Sequence, residues 1–362
     1  MKSYGRLFLA IIIALLVTVV YPVGAKSINL EGGNSVVIKG PDGVECVSTQ
    51  DGQKVIAIGS IQAAIDAAQE GATIFLKHKT YYENVYIPRS VSIIGKGPDK
   101  TIVDGSQQAG SVFAIGMDKS GTPTLGLEVT LAGLTIRKGS GTYMEWGGPA
   151  GGGIYNDEGK LTVMDCIIKD NTAEWGGGIF NHAVYGSATM DLINSQIFRN
   201  TATLDGGGIF NGYGYYGGTV TLTLKNSQIF GNTADYGGGI DNYGYIGGRA
   251  TLTLKNSQIF GNTADYWGGG ILNDGQGVTA IAIVDLINSR IFGNTADLGG
   301  GIYNAGIDGG TATVNLQSGS IEYNTATASA PSGGGIYNAG GTIMGDTDIV
   351  HDNTPDQIYP PI

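Results

Sequence analysis

Groups that do chemistry are scarce in this chain. Its 362 residues include two cysteines, Cys46 and Cys166, and three histidines, His78, His182 and His351. So few cysteines exclude a disulfide-stapled scaffold, and histidines this far apart lack metal-ligand spacing. Charged residues make up only 14% while hydrophobic ones make up 41%, which excludes a highly charged disordered chain. The formal charge is −11 and no basic cluster offsets it locally, so a nucleic-acid-binding surface is excluded. No Asn-x-Ser/Thr triplet occurs, because each Asn-Thr-Ala puts threonine one position early. Beyond residue 25 no apolar run approaches the ~20 residues of a membrane span.

Glycine, by contrast, is abundant at 63 residues, far above the usual share of about 7%. There is no Gly-x-y period, which excludes collagen. Much glycine with moderate hydrophobicity implies short strands joined by tight turns. The N-terminus reads as a targeting segment: Lys2 and Arg6 precede the apolar run Leu7 to Val20, then Pro22 and Val23-Gly24-Ala25. Cleavage after Ala25 is expected, with a retained membrane anchor as the alternative. Removing residues 1–25 takes away Lys2 and Arg6 and no acid, moving the formal charge from −11 to −13.

A repeat dominates the rest. The block GGGI occurs seven times, starting at Gly151, Gly176, Gly206, Gly237, Gly268, Gly299 and Gly333, at intervals of 25 to 34 residues. An asparagine follows each block, forming the column Asn156, Asn181, Asn211, Asn242, Asn273, Asn304 and Asn338. A second column is Asn171, Asn200, Asn232, Asn262, Asn294, Asn324 and Asn353. Within the unit the pattern has period 2, as in Thr221-Leu222-Thr223-Leu224, which is strand and not helix. Aligned coils give inward columns Met190/Leu222/Leu252/Val284/Val314 and Leu192/Leu224/Leu254/Leu286/Leu316. A third runs Ile197/Ile229/Ile259/Ile291/Ile321, with Phe198, Phe230, Phe260, Phe292 and Tyr323 beside it. Like residues at like positions predict coils stacked in register, one strand spacing of about 4.8 Å apart. Glycines then serve sharp turns, and asparagines serve left-handed turns and ladders of side-chain hydrogen bonds. Cys166 falls in a column otherwise filled by Ser195, Ser227, Ser257 and Ser289, and reads as a small packed residue several rungs from Cys46.

These features predict an all-β chain, a right-handed single-stranded parallel β-helix with a short N-terminal capping helix, present as a monomer. The expected divisions are a signal peptide at 1–25, an irregular segment at 26–59, a cap with the first coils at 60–124, repeat coils at 125–355 and a tail at 356–362. The irregular segment reads as a leading strand pair or a loose arm. The helix is expected over Ile61 to Gln69, with Ser60 as N-cap and Gly71 ending it.

The stretch SIQAAIDAAQEGATIFLKHKTYYENVYIPRSVSIIGKGPDKTIVDG resembles the N-terminal cap of pectin-lyase-like β-helix proteins. The GGGI-x-N and IFGN elements resemble the GGAI and FxxN motifs of the polymorphic outer membrane protein repeat. That repeat is best known from chlamydial surface proteins and is similar to adhesin-like proteins of methanogenic archaea. The resemblance covers roughly residues 60–355 and implies a β-helix with a surface role.

Catalytic residues are not recognisable. The cap resembles pectin methylesterases, yet their Gln, paired Asp and Arg motifs are missing, as is the NTD, DD, GHG and RIK pattern of polygalacturonases. A lyase needs Arg or Lys beside calcium-binding carboxylates, and the seven cations between residues 150 and 350 form no evident cluster with acids. His182 is a candidate base but reads as a solvated turn histidine. Two solvent-facing columns remain. Glu174, Thr203, Asp235, Asp265 and Asp297 form one, in which Asp235, Asp265 and Asp297 are candidate Ca2+ ligands or splayed surface acids. Trp175, Asp205, Tyr236, Trp267 and Leu298 form the other, joined by loop tyrosines Tyr213, Tyr215, Tyr216, Tyr243 and Tyr245. There Trp175, Tyr236, Trp267 and Asp205 are candidate glycan-binding residues, since sugar faces stack on rings, unless the rings only cover their own turns. Thr221, Thr223, Thr251 and Thr253 suggest an ice-binding array, which Asp191, Ile283 and Asp285 interrupt.

The expected function is a non-catalytic, secreted or cell-surface solenoid, adhesin-like or polysaccharide-binding, whose partner is an extracellular polysaccharide or cell-surface component. A polysaccharide lyase, hydrolase or epimerase and a purely structural envelope protein are the alternatives.

Overall fold

The computed structural model describes residues 59–144, 147–212, 217–329 and 331–360, with the strands Ser27–Glu31, Ser35–Lys39, Val44–Thr49 and Gly52–Ala57 before them. It is a right-handed parallel β-solenoid of about 9 turns, with one α-helix among the described residues. Successive passes of the chain build sheets of 14, 10, 8 and 10 strands. A typical coil contributes Thr219–Lys225 to the first, Gln228–Phe230 to the second, Thr233–Tyr236 to the third and Ile240–Tyr245 to the fourth. Each pairs with the next coil: Leu222 opposes Leu252, Leu224 opposes Leu254, and Ile229 opposes Ile259, while in Thr233–Tyr236 the register shifts after Ala234 so that Tyr236 opposes Trp267. The alternation in sequence becomes alternation of face, so the leucine and isoleucine columns are fully buried in one continuous interior.

Side chains and backbone divide the turns between them. Both expected asparagine columns are buried ladders, each amide Nδ2 donating to the next coil's Oδ1. Distances are 2.7–2.8 Å along Asn156 to Asn338 and 2.9–3.0 Å along Asn171 to Asn353. The left-handed turns belong to another column, Asn194, Asn226, Asn256 and Asn288, with φ of 47° to 51°. In the GGG blocks the first glycine takes positive φ, 66° at Gly206. The next two let coils touch: a Cβ on Gly207 or Gly208 would lie 2.5–2.6 Å from a carbonyl oxygen of the following coil.

Three expectations change in detail. The segment 26–59 supplies four strands in an antiparallel meander, the last of which pairs in parallel with Ala72–Leu76 and lengthens the largest sheet. The helix spans Ile61–Ala67, with Ser60 Oγ accepting from Ala63 N, and its Ile61, Ala64 and Ile65 close the interior at this end. The carboxylate of Glu83 accepts from the amides of Ile61 and Gln62 and so fixes the helix start. The phenylalanine column does not continue into Tyr323: Glu322 opposes Phe292, and Tyr323 takes the left-handed turn position with φ 54°. Glu322 instead pairs with Arg290, whose guanidinium lies 4.7 Å from the Phe292 ring centroid. The phenylalanines stack at 4.7–5.0 Å and are half-buried on the outside of their sheet. The proposed signal segment lies outside the described residues. Among the described residues no helix is long and apolar enough to cross a membrane. Cys166 is buried, and burial pushes its thiol up to about 12.

Candidate functional site

The strand after each GGG block turns one residue outward between the inward Ile and Asn. At this x of GGGI-x-N stand Tyr155, Phe180, Phe210, Asp241, Leu272, Tyr303 and Tyr337. A second apolar layer therefore coats the outside of this sheet. Tyr155, Phe180 and Phe210 stack at 5.6 and 5.1 Å, and Trp267, Tyr303 and Tyr337 stack at 5.0 and 5.2 Å. Between the two stacks the ladder is broken by Asp241, which is 2% exposed.

Asp241 does not stand alone. Two residues on along the same outward face, the register places Asp274 opposite Tyr243, and Asp274 is 7% exposed. Asp205 reaches the same spot from the neighbouring sheet, where it opposes Trp175 on one side and Tyr236 on the other. The three carboxylates line a recess of about 180 Å³ together with Phe210, Tyr236, Tyr243, Trp267, Leu272 and Gln276. Asp241 Oδ1 and Asp274 Oδ1 are buried without a hydrogen-bond partner. Among the described residues no lysine, arginine or histidine forms an ion pair with any of the three.

The electrostatic consequence follows from burial of like charges without a counter-charge. Burial, reinforced by Asp205 and Asp308, lifts Asp274 to about 7. Burial lifts Asp205 to about 6, opposed by a hydrogen bond from the Trp175 indole and reinforced by Asp235 and Glu174. Burial also lifts Asp241 well above the ordinary carboxylate range, helped by Asp205 and Asp274. Three buried acids raised above the ordinary carboxylate range and walled by rings are the pattern of a functional site more often than of a scaffold.

The predicted aromatic column exists in register: Tyr236 opposes Trp267, and Trp267 bridges to Leu298. Its members differ in exposure. Trp175, expected to face solvent, is 9% exposed and packs with Met144, Ala150, Tyr155, Phe180 and Phe210. It covers Gly147, as the reading of rings shielding their own turns requires. Tyr236 and Trp267 are half-buried, with ring centroids 5.1 Å apart and planes at 61°, and both line the recess. Tyr243 also lines it and donates from its hydroxyl to Gln276 at 2.6 Å. Tyr213, Tyr215 and Tyr216 lie outside the described residues.

The acidic column is open. Asp265 is exposed, Asp235 is half-buried with its carboxyl raised by partial desolvation and by Asp265, and Asp297 accepts from Thr327 Oγ1 at 2.6 Å. Among the described residues no group of three or more His, Cys, Asp or Glu side chains converges as a metal ion needs. His182 is not the solvated turn residue expected. It is 3% exposed at a strand end, stacks on Phe180 at 5.2 Å and pairs through Nδ1 with Asp157 Oδ1 at 3.2 Å. With Asp157 it lines a larger recess of about 900 Å³ near Lys119 and Tyr155.

No protein-family profile, curated protein or solved structure matches this chain.

Asp241 and Asp274 are invisible to a reading built on columns of like residues, because the recess lies where a column fails. Asp241 is the one charged residue at the x of GGGI-x-N, and that exception was the available signal.

Proposed function

We propose that this chain is a secreted or cell-surface β-helix that binds polysaccharide on its outer face, at the recess formed by Asp205, Asp241 and Asp274. The observation that carries the reading is the interrupted ladder: buried, unpartnered carboxylate oxygens set between aromatic walls on the outside of a rigid solenoid. Sugar rings offer apolar faces to Tyr236 and Trp267, and their hydroxyls supply the donors that the orphan oxygens lack. Support for the surface location comes from Lys2, Arg6 and the apolar run ahead of Ala25. The likeness of GGGI-x-N to the polymorphic outer membrane protein repeat, and of the cap to pectin-lyase-like proteins, points the same way.

A second reading, glycoside hydrolysis, is favoured by Asp274 at about 7 and Asp205 at about 6, where one carboxyl donates a proton while another stays ionised. Retention on a polysaccharide array with simultaneous assay of reducing-end release separates the two. Binding without release, lost in Tyr236→Ala/Trp267→Ala at unchanged melting temperature, supports the binding reading. Release abolished by Asp274→Asn replaces it with hydrolysis, and absence of both overturns both.

A further inference from the structure

We infer that the recess is an ammonium cage, and that the polysaccharide it takes carries free amino groups, as a deacetylated hexosamine does. The inference rests on the polysaccharide-binding reading and names the ligand's charge. Asp205, Asp241 and Asp274 face one cavity of about 180 Å³, room for a single sugar ring, walled by Tyr236, Tyr243 and Trp267. Two carboxylate oxygens there, on side chains 2% and 7% exposed, are unpartnered. The other groups coupled electrostatically to them are Glu174, Asp235 and Asp308, all acids, and the tyrosines Tyr236 and Tyr303. Nothing within the described protein supplies the missing positive charge.

The chemistry of the walls selects the kind of cation. A bare metal ion needs converging oxygens, and among the described residues no such group is found. Aromatic faces attract organic ammonium groups through the ring quadrupole, most strongly where water is excluded. A primary ammonium also brings three N–H donors to oxygens that have none. Because burial raises Asp205 to about 6 and Asp274 to about 7, docking a cation near pH 6 drives protons off them, which a neutral sugar does not do.

Calorimetry on the full chain tests this with two probes of equal length, a glucosamine hexamer and an N-acetylglucosamine hexamer, at about pH 6, where an amine is charged, and at physiological ionic strength. The expected result is at least about tenfold tighter binding of the amine form. Proton release, read from the heat difference between buffers of unlike ionisation enthalpy, should accompany it. The preference should disappear in Asp241→Asn/Asp274→Asn and persist in Asp99→Asn, an exposed acid elsewhere on the molecule, which controls for attraction to the acidic surface at large. Should the double variant fail to fold, Asp274→Asn alone and the wild-type proton count still decide. Equal affinity for both hexamers, or a preference that survives in the variants, overturns the cage and leaves glycan binding standing. No binding of either hexamer or of any polysaccharide on the array overturns both.

Discussion

Replacing Asp241 by leucine should stabilise this protein, which few substitutions at a buried position do. The wild-type carboxyl is 2% exposed with Oδ1 unpartnered, in a column otherwise filled by aromatic rings and Leu272. Removing an unsatisfied buried polar group gains roughly 1–3 kcal/mol, and burying a leucine adds roughly 1.5–3 kcal/mol. The bulk of leucine fits, since the adjoining recess offers about 180 Å³. A gain of about 2.5–6 kcal/mol corresponds to a melting temperature higher by something of order 5 °C for a chain this size. Acidity sharpens the test. Asp241, Asp205 and Asp274 are all raised in the folded state, so folding takes up protons once the unfolded acids ionise. For Asp274 the step from 3.8 to about 7, at ~1.4 kcal/mol per pH unit, is roughly 4 kcal/mol of stability lost as pH rises through that window. Below ~pH 4 both states hold their protons and this loss vanishes. The advantage of Asp241→Leu should therefore be larger at pH 8 than at pH 4, by calorimetric or circular-dichroism melts. A variant no more stable than wild type at pH 8, or an advantage that does not shrink in acid, refutes the reasoning.

Other substitutions probe the scaffold and the open columns. Asn232→Leu breaks a buried ladder in which Nδ2 donates to Asn262 at 2.9 Å and to Ile197 O at 3.1 Å, while Oδ1 accepts twice from Asn200. Orphaning those groups should cost roughly 3–5 kcal/mol, seen as a lower urea midpoint. Cys166, buried and raised to about 12, should resist a thiol reagent in native buffer and react only on unfolding, as colorimetric titration will show. With Asp265 exposed and, among the described residues, no group of three acids converging at Asp235 or Asp297, millimolar calcium should move the melting temperature by less than about 1 °C. A larger rise, reduced by Asp265→Asn, would restore those three carboxylates as cation ligands.

The fold was legible because in a solenoid each position meets the same position one coil later, so a sequence repeat is also a map of contacts. The sequence repeat places Leu222 beside Leu252, the pair that the strands form. Where the repeat drifts this mapping fails: Tyr323 matches the phenylalanines in chemistry but not in spacing, and the strand register puts Glu322 opposite Phe292. The burial of Trp175 was not legible at all. Its cover comes from Met144, from Ala150 at the same repeat position one coil earlier, and from Phe180 and Phe210 on an outward face that period-2 reasoning treats as wet.

That second apolar layer explains why the site escaped a search by column yet stands out by burial. A strand coated on both faces no longer shows inward and outward positions as apolar and polar. In such a layer an acid at x of GGGI-x-N is costly, whereas the same acid exposed to water costs little. Asp265 is of the second kind and Asp241 is of the first. Phe210 before it and Leu272 after it show that an apolar side chain fits this part of the layer. The solenoid thus forgoes several kcal/mol of packing at Asp241, a sacrifice of stability of the kind that proteins make for function.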